Sequence, residues 1–139
     1  MTQEEELTKN LSLIEYYREQ LNSIDMQTQI TQAALADLHK AKLTIQQLNK
    51  ADKNSEVLIP VGGGAFIHGS VTDVSKVLID IGAGLVTEKT VDDAIQKIDE
   101  SINKLQENQE KLISMAQKIQ TEATELSQKT QKLMEETQK

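Results

Sequence analysis

Glycine and proline occupy only one part of this sequence. All six glycines and the single proline lie between Pro60 and Gly84, and the stretches 4–50 and 90–138 contain neither residue. Because glycine and proline most often interrupt helices, this segregation predicts two long helices around a central non-helical insert. The two flanks are also rich in Gln, Glu, Lys, Leu and Ile, which helices tolerate or favour.

Apolar residues in the second flank recur with alternating steps of four and three residues. The pattern runs without a slip across six heptads, and eleven of its thirteen positions are apolar, which indicates a coiled coil. Thr90 and Asp93 resemble a capping box and predict the start of this helix. The seam positions are Val91, Ile95, Ile98, Ile102, Leu105, Gln109, Leu112, Ala116, Ile119, Ala123, Leu126, Thr130 and Leu133.

The first flank carries a looser version of the same repeat. Two pairs of consecutive three-residue steps, at 11–14–17 and 35–38–41, predict local overwinding of the coil. Because the flanks have similar lengths, we expect an antiparallel pair in which facing positions add up to about 140. This register places bulky Tyr17 opposite Ala123, and a shift of one helical turn stays open.

The central segment reads as two β-hairpins. Short runs rich in Val and Ile are separated by glycine, which supplies the positive φ of tight turns. Residues 57–71 predict one hairpin around Gly62, Gly63 and Gly64, and residues 77–87 predict a second around Gly82 and Gly84. Pro60 lacks a backbone donor, so its strand should be an edge or carry a bulge there.

These hairpins need a partner. Isolated two-stranded hairpins are marginal in water, and the helices have already used their apolar seam on each other. We therefore expect the hairpins to assemble with those of other subunits, since open strand edges favour pairing with another chain. The predicted oligomerisation residues are Val57, Leu58, Ile59, Val61, Phe66, Ile67, Val71, Val77, Leu78, Ile79, Ile81, Leu85 and Val86.

The order of elements resembles the prefoldin family. The segments LIPVGGGAFIHGSV and IDIGAGLVTEKTVDDAI carry the resemblance, which covers essentially the whole chain. With its second glycine turn the chain resembles the alpha class of archaeal type, because beta-class subunits have a single hairpin. The resemblance implies an α+β fold, a long antiparallel two-helix coiled coil with two central β-hairpins that join an intersubunit β-barrel. It implies one domain over residues 1–139, with helix 1 at 4–50, the hairpins at 56–89 and helix 2 at 90–138.

The resemblance also implies a function. Two alpha-class and four beta-class prefoldin subunits would form a hetero-hexamer whose coiled coils project around a cavity. The tips of these coils would hold non-native polypeptides and deliver them to a group II chaperonin in the cytoplasm. Such a subunit is an ATP-independent chaperone (a holdase and co-chaperone), not an enzyme, and it needs no cofactor or metal.

The residues support client binding at the tips, here residues 1–17 and 123–139. Helix ends fray, and the final layers lack neighbours on one side, so apolar side chains there can turn outward. Ordinary packing in the coiled coil also explains why these residues are apolar, and the same side chain can serve in packing and in client binding. The predicted client-binding residues are Met1, Leu7, Leu11, Ile14, Leu126, Leu133 and Met134.

Composition argues against several other functions. The net charge of −7 disfavours nucleic-acid binding, and the absence of cysteine excludes thiolate metal sites and thiol nucleophiles. No apolar stretch approaches the roughly 18 residues of a membrane span, and the acidic N-terminus does not read as a signal peptide. A tether that oligomerises through its hairpins without chaperone activity stays open as the alternative.

Other suggestive residues have simpler explanations. The three-glycine run lacks the Lys-Ser/Thr of a phosphate loop, and His39 and His68 have no metal-ligand spacing around them. Glu4–Glu6 and Asp92–Asp93 fit acidic first turns of helices. Lysines recur every seven residues beside the second seam and predict a solvated flank with intrahelical partners. These lysines are Lys97, Lys104, Lys111 and Lys118.

Overall fold

The computed structural model describes residues 2–138 and has one long helix before and one after two β-hairpins along the chain. The elements are α1 (Gln3–Lys50), β1 (Glu56–Gly62), β2 (Ala65–Ser70), β3 (Lys76–Gly82), β4 (Leu85–Thr90) and α2 (Val91–Gln138). Strands β1 and β2 form hairpin 1, and β3 and β4 form hairpin 2, as separate antiparallel sheets. The predicted α+β class, with a helix on each side of two hairpins, is confirmed.

Both helices begin with a hydroxyl cap. At α1, the Thr2 hydroxyl accepts the Glu5 N–H at 3.1 Å, and a Glu5 carboxylate oxygen accepts the Thr2 N–H at 3.4 Å. This reciprocal capping box was not predicted from the sequence. At α2, the Thr90 hydroxyl accepts the Asp93 N–H at 3.2 Å, which is one half of the predicted pair. Thr90 also ends β4, so the strand runs directly into the helix.

The seam of α2 follows the predicted heptads. All thirteen predicted positions are buried or half-buried. Thr130 is only 3% exposed, and its hydroxyl donates to the Leu126 carbonyl at 2.7 Å, which satisfies the buried polar group. Leu11, which the register places opposite Thr130, is 50% exposed instead. The three-residue step at Leu11 therefore turns this side chain away from the seam.

The chain divides into two compact units, one from residues up to Ala34 with those from Leu105 onward, the other Leu35–Lys104. In each unit, a pair of side chains from α1 and α2 shows which residues of the two helices lie opposite each other. In the first unit, burial and the nearby Glu122 carboxylate raise the pKa of Tyr17. In the second, the Lys42 ammonium lies 2.8 Å from an Asp99 carboxylate oxygen. Both pairs agree with antiparallel helices in the predicted register.

The two hairpins share one geometry. Val57 pairs with Gly69 and Val77 with Lys89, and each ladder shifts register by one residue just before its turn. In hairpin 1 this shift lies between Pro60 and Gly62, on a strand that is a sheet edge. The predicted position of Pro60 is therefore confirmed.

This shared geometry reflects an internal repeat of twenty residues that was not predicted. Residues 56–71 and 76–91 align without gaps. The conserved positions within the repeat are Val57 and Val77, Leu58 and Leu78, Ile59 and Ile79, Gly62 and Gly82, Gly64 and Gly84, and Val71 and Val91. Residue 63 of the first turn is glycine, with φ of 58°, whereas its equivalent Ala83 adopts φ of 53°, a conformation that a Cβ disfavours.

Candidate functional site

The hairpins present their apolar side chains to solvent. No residue between Glu56 and Thr90 is buried. Exposed fractions among the predicted oligomerisation residues reach 60% at Leu58 and 72% at Leu78. The exposed members are Leu58, Ile59, Val61, Phe66, Ile67, Leu78, Ile81, Leu85 and Val86, and the half-buried members are Val57, Val71, Val77 and Ile79. Their role in oligomerisation stays a prediction.

One face of hairpin 1 is almost wholly apolar. Val57 lies opposite Gly69, and Ile59 lies opposite Ile67. A Cβ on Gly69 would meet the Ile59 Cδ1 at 2.7 Å, so the missing side chain makes the space that Ile59 occupies. This face is therefore apolar, which suits packing against another sheet.

The opposite face of hairpin 1 combines apolar and charged groups. Leu58 pairs with His68, and Pro60 pairs with Phe66, which is 58% exposed. At the far end, His68 Nδ1 lies 2.5 Å from a Glu56 carboxylate oxygen. Both of these side chains are largely exposed. Among residues 2–138, no group of three His, Asp or Glu side chains could hold a metal ion.

Hairpin 2 repeats this arrangement with different charges. Lys76 and Glu88 occupy the positions of Glu56 and His68 in the repeat. Asp80 replaces Pro60, and its carboxylate accepts the Gly82 N–H at 2.8 Å, which orders the approach to the turn. The two hairpins therefore share their strand register, but Thr87 and Lys89 replace Ile67 and Gly69, so the apolar face of hairpin 1 is partly polar in hairpin 2.

The tips bring together the N-terminal end of α1 and the C-terminal end of α2. Leu7, Ile14, Leu126 and Leu133 are half-buried. Two predicted client-binding residues are exposed, namely Leu11 at 50% and Met134 at 42%. Met1 lies outside the described residues. The tip thus offers a small apolar surface beside a partly packed seam, and client binding there stays a prediction.

Other exposed apolar side chains lie further along the helices, at positions outside the predicted heptad seam. On α1 these include Tyr16 at 53%, Met26 at 64% and Ile30 at 68% exposure, which together we call the outer stripe. Leu43, Ile113 and Met115 are also 48–56% exposed. Apolar residues at heptad positions that face away from the seam are the sequence signal that would have found them.

The lysine row is exposed as expected but departs from expectation in its partners. Lys97, Lys104, Lys111 and Lys118 are exposed, and none forms an ion pair within the part of the chain that is described. The expected intrahelical partners are therefore not engaged. The ion pair between the helices instead uses Lys42, which is half-buried against the seam, and Asp99.

Neither helix, within the described residues, is long and apolar enough to cross a membrane. Both the tips and the hairpins expose apolar side chains. Their geometry suits binding of other polypeptide surfaces.

Comparison with known proteins places this geometry in context. The family described as Prefoldin subunit matches residues 17–136. Prefoldin subunit alpha of Methanococcoides burtonii is 36% identical over 76 residues, which are 55% of each chain. Prefoldin subunit alpha of Methanopyrus kandleri is 32% identical over 69 residues, covering 50% of this chain and 44% of that one.

The matches therefore span about half the length of these two curated relatives. The crystal structure of the prefoldin beta subunit from Thermococcus strain KS-1 superposes with a TM-score of 0.60 at 20% identity. The superposition covers 91% of this chain and 90% of that chain. At this identity the superposition reports a shared fold.

Proposed function

The chain belongs to the prefoldin family, and from this premise we propose that it is an alpha-class subunit of an ATP-independent chaperone. The subunit captures unfolded polypeptides at its tips and delivers them to a group II chaperonin in the cytoplasm. The observation that carries the proposal is the pair of apolar hairpins that the chain itself leaves uncovered. The similarity to archaeal alpha subunits supports the class.

The hairpins are the proposed assembly surface. Each two-stranded sheet has two open edges, and the exposed apolar residues of both hairpins are not covered by the helices. Pairing with hairpins of other subunits satisfies the edge N–H and C=O groups and buries the apolar faces together. We propose that two copies of this chain combine with four beta-class subunits, and that the hairpins close into an intersubunit β-barrel.

The tips are the proposed client-binding surface. Leu11 and Met134 are exposed there, and half-buried Leu7 and Leu133 lie in the last layers of the coil. Burying one Leu or Met completely contributes about 1.5–3 kcal/mol, so partial burial at one tip gives weak binding. Several tips that hold one client multiply this affinity through effective concentration. Weak multivalent contacts suit a chaperone that must bind many sequences and release them.

Assembly is tested by mass measurement. The full chain is analysed alone and with a candidate beta-class subunit by light scattering or native mass spectrometry. We expect a hetero-hexamer with two copies of this chain when the partner is present. A chain that stays monomeric with every candidate partner would contradict the proposed assembly.

Chaperone activity is tested on the assembled complex. At stoichiometric amounts, the complex should suppress aggregation of a chemically denatured protein without ATP. Deletion of residues 1–12 and 128–139 should remove this suppression and leave the hexamer mass unchanged, apart from the deleted residues. Failure of the intact complex to suppress aggregation would instead favour the non-chaperone tether.

A further inference from the structure

One groove between the helices combines an exposed apolar side chain with a cation. Ile30, the last residue of the outer stripe, is 68% exposed and lines this groove together with Lys111 of α2. The groove has a volume of about 380 Å³. Among residues 2–138, its lining includes one charged side chain, that of Lys111, and no carboxylate. The other lining residues are Gln27, Thr31, Asn108 and Leu112.

The positive charge of this groove is not neutralised within the part of the chain that is described. Lys111 forms no ion pair there, although Glu107 precedes it by one helical turn. From Lys111 until Glu122, α2 carries two lysines and no acidic residue, and Glu122 itself lies beside Tyr17 of α1. Residues 26–34 of α1 carry no charge. In a chain of net charge −7, the groove is therefore a local region of positive charge.

The second lysine of this segment extends the same surface toward the tip. Lys118 follows Lys111 by two turns, and Met115, which is 51% exposed, lies between them on the same face of α2. At about 1.5 Å per residue, the two lysines are roughly 10 Å apart along the helix. An extended polypeptide covers that distance with about three residues, at roughly 3.3 Å per residue. We call Ile30, Lys111, Met115 and Lys118 together the basic groove.

The lysines nearer the hairpins have different neighbours. Lys97 has Asp93 one turn before it and Glu100 one turn after it, and these three side chains line one depression in the surface. Lys104 likewise lies between Glu100 and Glu107 at helical spacing. The lysine row is therefore balanced by carboxylates beside the hairpins, and its positive charge is in excess only at the basic groove.

We propose that the basic groove binds segments of non-native polypeptide in which apolar residues are interspersed with carboxylates. This inference rests on the proposed chaperone function and adds a second binding surface to the tip. Ile30 and Met115 contact the apolar residues, and the flexible Met115 side chain adapts to different shapes. Lys111 and Lys118 pair with two carboxylates that are about three residues apart in an extended segment.

The position of the groove suits a client that is already held at the tip. The groove and the tip belong to the same compact unit. Ile30 follows Leu11 by nineteen residues, which corresponds to roughly 28 Å along α1. About nine residues of extended chain cover this distance, so one client segment reaches both surfaces. Two weak contacts with the same client then strengthen each other through effective concentration.

Matched lysine substitutions isolate the groove. The groove variant combines Lys111→Gln with Lys118→Gln, and the control variant combines Lys97→Gln with Lys104→Gln. Both variants remove two charges from exposed positions of the same heptad row, so they change the total charge equally. Glutamine is tolerated in helices, so we expect both variants to fold and assemble. A third variant, Ile30→Gln, tests the apolar part of the groove.

The probes are two labelled, unstructured peptides of about ten residues made of Leu and Gly, with either two Glu or two Lys placed three residues apart. Binding to the assembled complex is followed by fluorescence anisotropy at low and high salt. We expect the wild-type complex to prefer the Glu peptide, and this preference to decrease with salt. The groove variant should bind the Glu peptide roughly five-fold more weakly, whereas the control variant should stay within about two-fold of the wild type. Ile30→Gln should weaken binding of both peptides.

The outcomes distinguish this inference from the function on which it rests. Unchanged Glu-peptide affinity in the groove variant, an equal loss in the control variant, or a wild-type preference for the Lys peptide overturns the inference while client capture at the tips stands. A changed hexamer mass in the groove variant identifies the groove as a subunit contact and also overturns it. Absence of both peptide binding and aggregation suppression in the wild type removes the proposed function itself.

Discussion

The hairpins and the first turns of α2 are adjacent in the chain but differ in how their apolar residues are covered. Val91, Ala94, Ile98 and Ile102 are at most 7% exposed, whereas Leu78 in hairpin 2 is 72% exposed. Thr90 joins the two regions as both the last residue of β4 and the cap of α2. The chain thus buries one apolar surface by itself and leaves the next open to solvent.

The difference follows from the geometry of the two elements. A helix satisfies its own backbone hydrogen bonds and needs to bury only one stripe, which a second helix covers. A two-stranded sheet has two faces and two open edges, and a second hairpin of the same size does not cover both faces and both edges. The hairpins therefore keep apolar surface exposed, while the seam of the coil is buried by contacts within the chain.

The largest expected effect comes from a charge in hairpin 1. Phe66→Asp should abolish assembly, because burying an unpaired carboxylate in a subunit interface costs several kcal/mol. The matched variant Ser23→Asp places the same charge on an exposed helical position and should assemble normally. Light scattering of each variant with its partner subunit measures the outcome. An intact Phe66→Asp hexamer would show that this face is not an interface.

A cavity in the buried turns of α2 should have the next largest effect. Ile98 is 7% exposed, so Ile98→Ala should lower the free energy of unfolding by about 2–4 kcal/mol. Ile30→Ala removes the same atoms from a side chain that is 68% exposed, and its effect should stay below about 0.5 kcal/mol. Denaturant unfolding of the chain, followed by circular dichroism, compares the two. Equal losses would contradict the burial contrast between them.

The repeat allows a reciprocal exchange at the two turns. Gly63 and Ala83 occupy equivalent positions, with φ of 58° and 53°. Gly63→Ala should destabilise hairpin 1 by about 1 kcal/mol, because alanine disfavours this conformation. Ala83→Gly should stabilise hairpin 2 by roughly 0.5 kcal/mol, since the extra freedom of glycine in the unfolded chain offsets part of the gain. Denaturant midpoints of the assembled complex measure both, and shifts of the same sign would rule out this explanation.

The smallest effect should come from the ion pair between the helices. Lys42 and Asp99 have side chains that are 31% and 44% exposed, so solvent screens their attraction. Lys42→Gln should cost at most about 0.5 kcal/mol. A double-mutant cycle with Asp99→Asn should give a coupling energy of similar size that decreases in high salt. Coupling above about 2 kcal/mol would show that the pair holds the helices together more strongly than exposure suggests.

The predictable parts of this fold are those that depend on local patterns. The uninterrupted heptads from Val91 to Leu133 predicted the buried face of α2, and the glycine clusters predicted both turns. Leu11 was predicted to lie in the seam, but its side chain turns outward where two three-residue steps follow each other. Such steps leave the direction of a side chain to local packing, which a repeat pattern does not specify.

The candidate site was predictable to a smaller degree. The apolar runs identified the hairpin residues, yet the repeat that relates Leu58 to Leu78 was not predicted, because only six of its sixteen aligned positions are identical. The exposed Met26 and Ile30 were missed for a different reason. The heptad pattern specifies only the seam positions, whereas Met26 and Ile30 lie outside the predicted seam, and their exposed fractions come from the structure.

The distribution of glycine, proline and heptads in the sequence determined two helices, two hairpins and their order, because these signals act over a few neighbouring residues. The tertiary structure decided which apolar residues are covered. It showed that Ala94 is fully buried, whereas Leu78 and Ile30 are open to solvent. Coverage depends on which surfaces meet across the fold, and similar aliphatic side chains therefore have opposite environments in neighbouring parts of the chain.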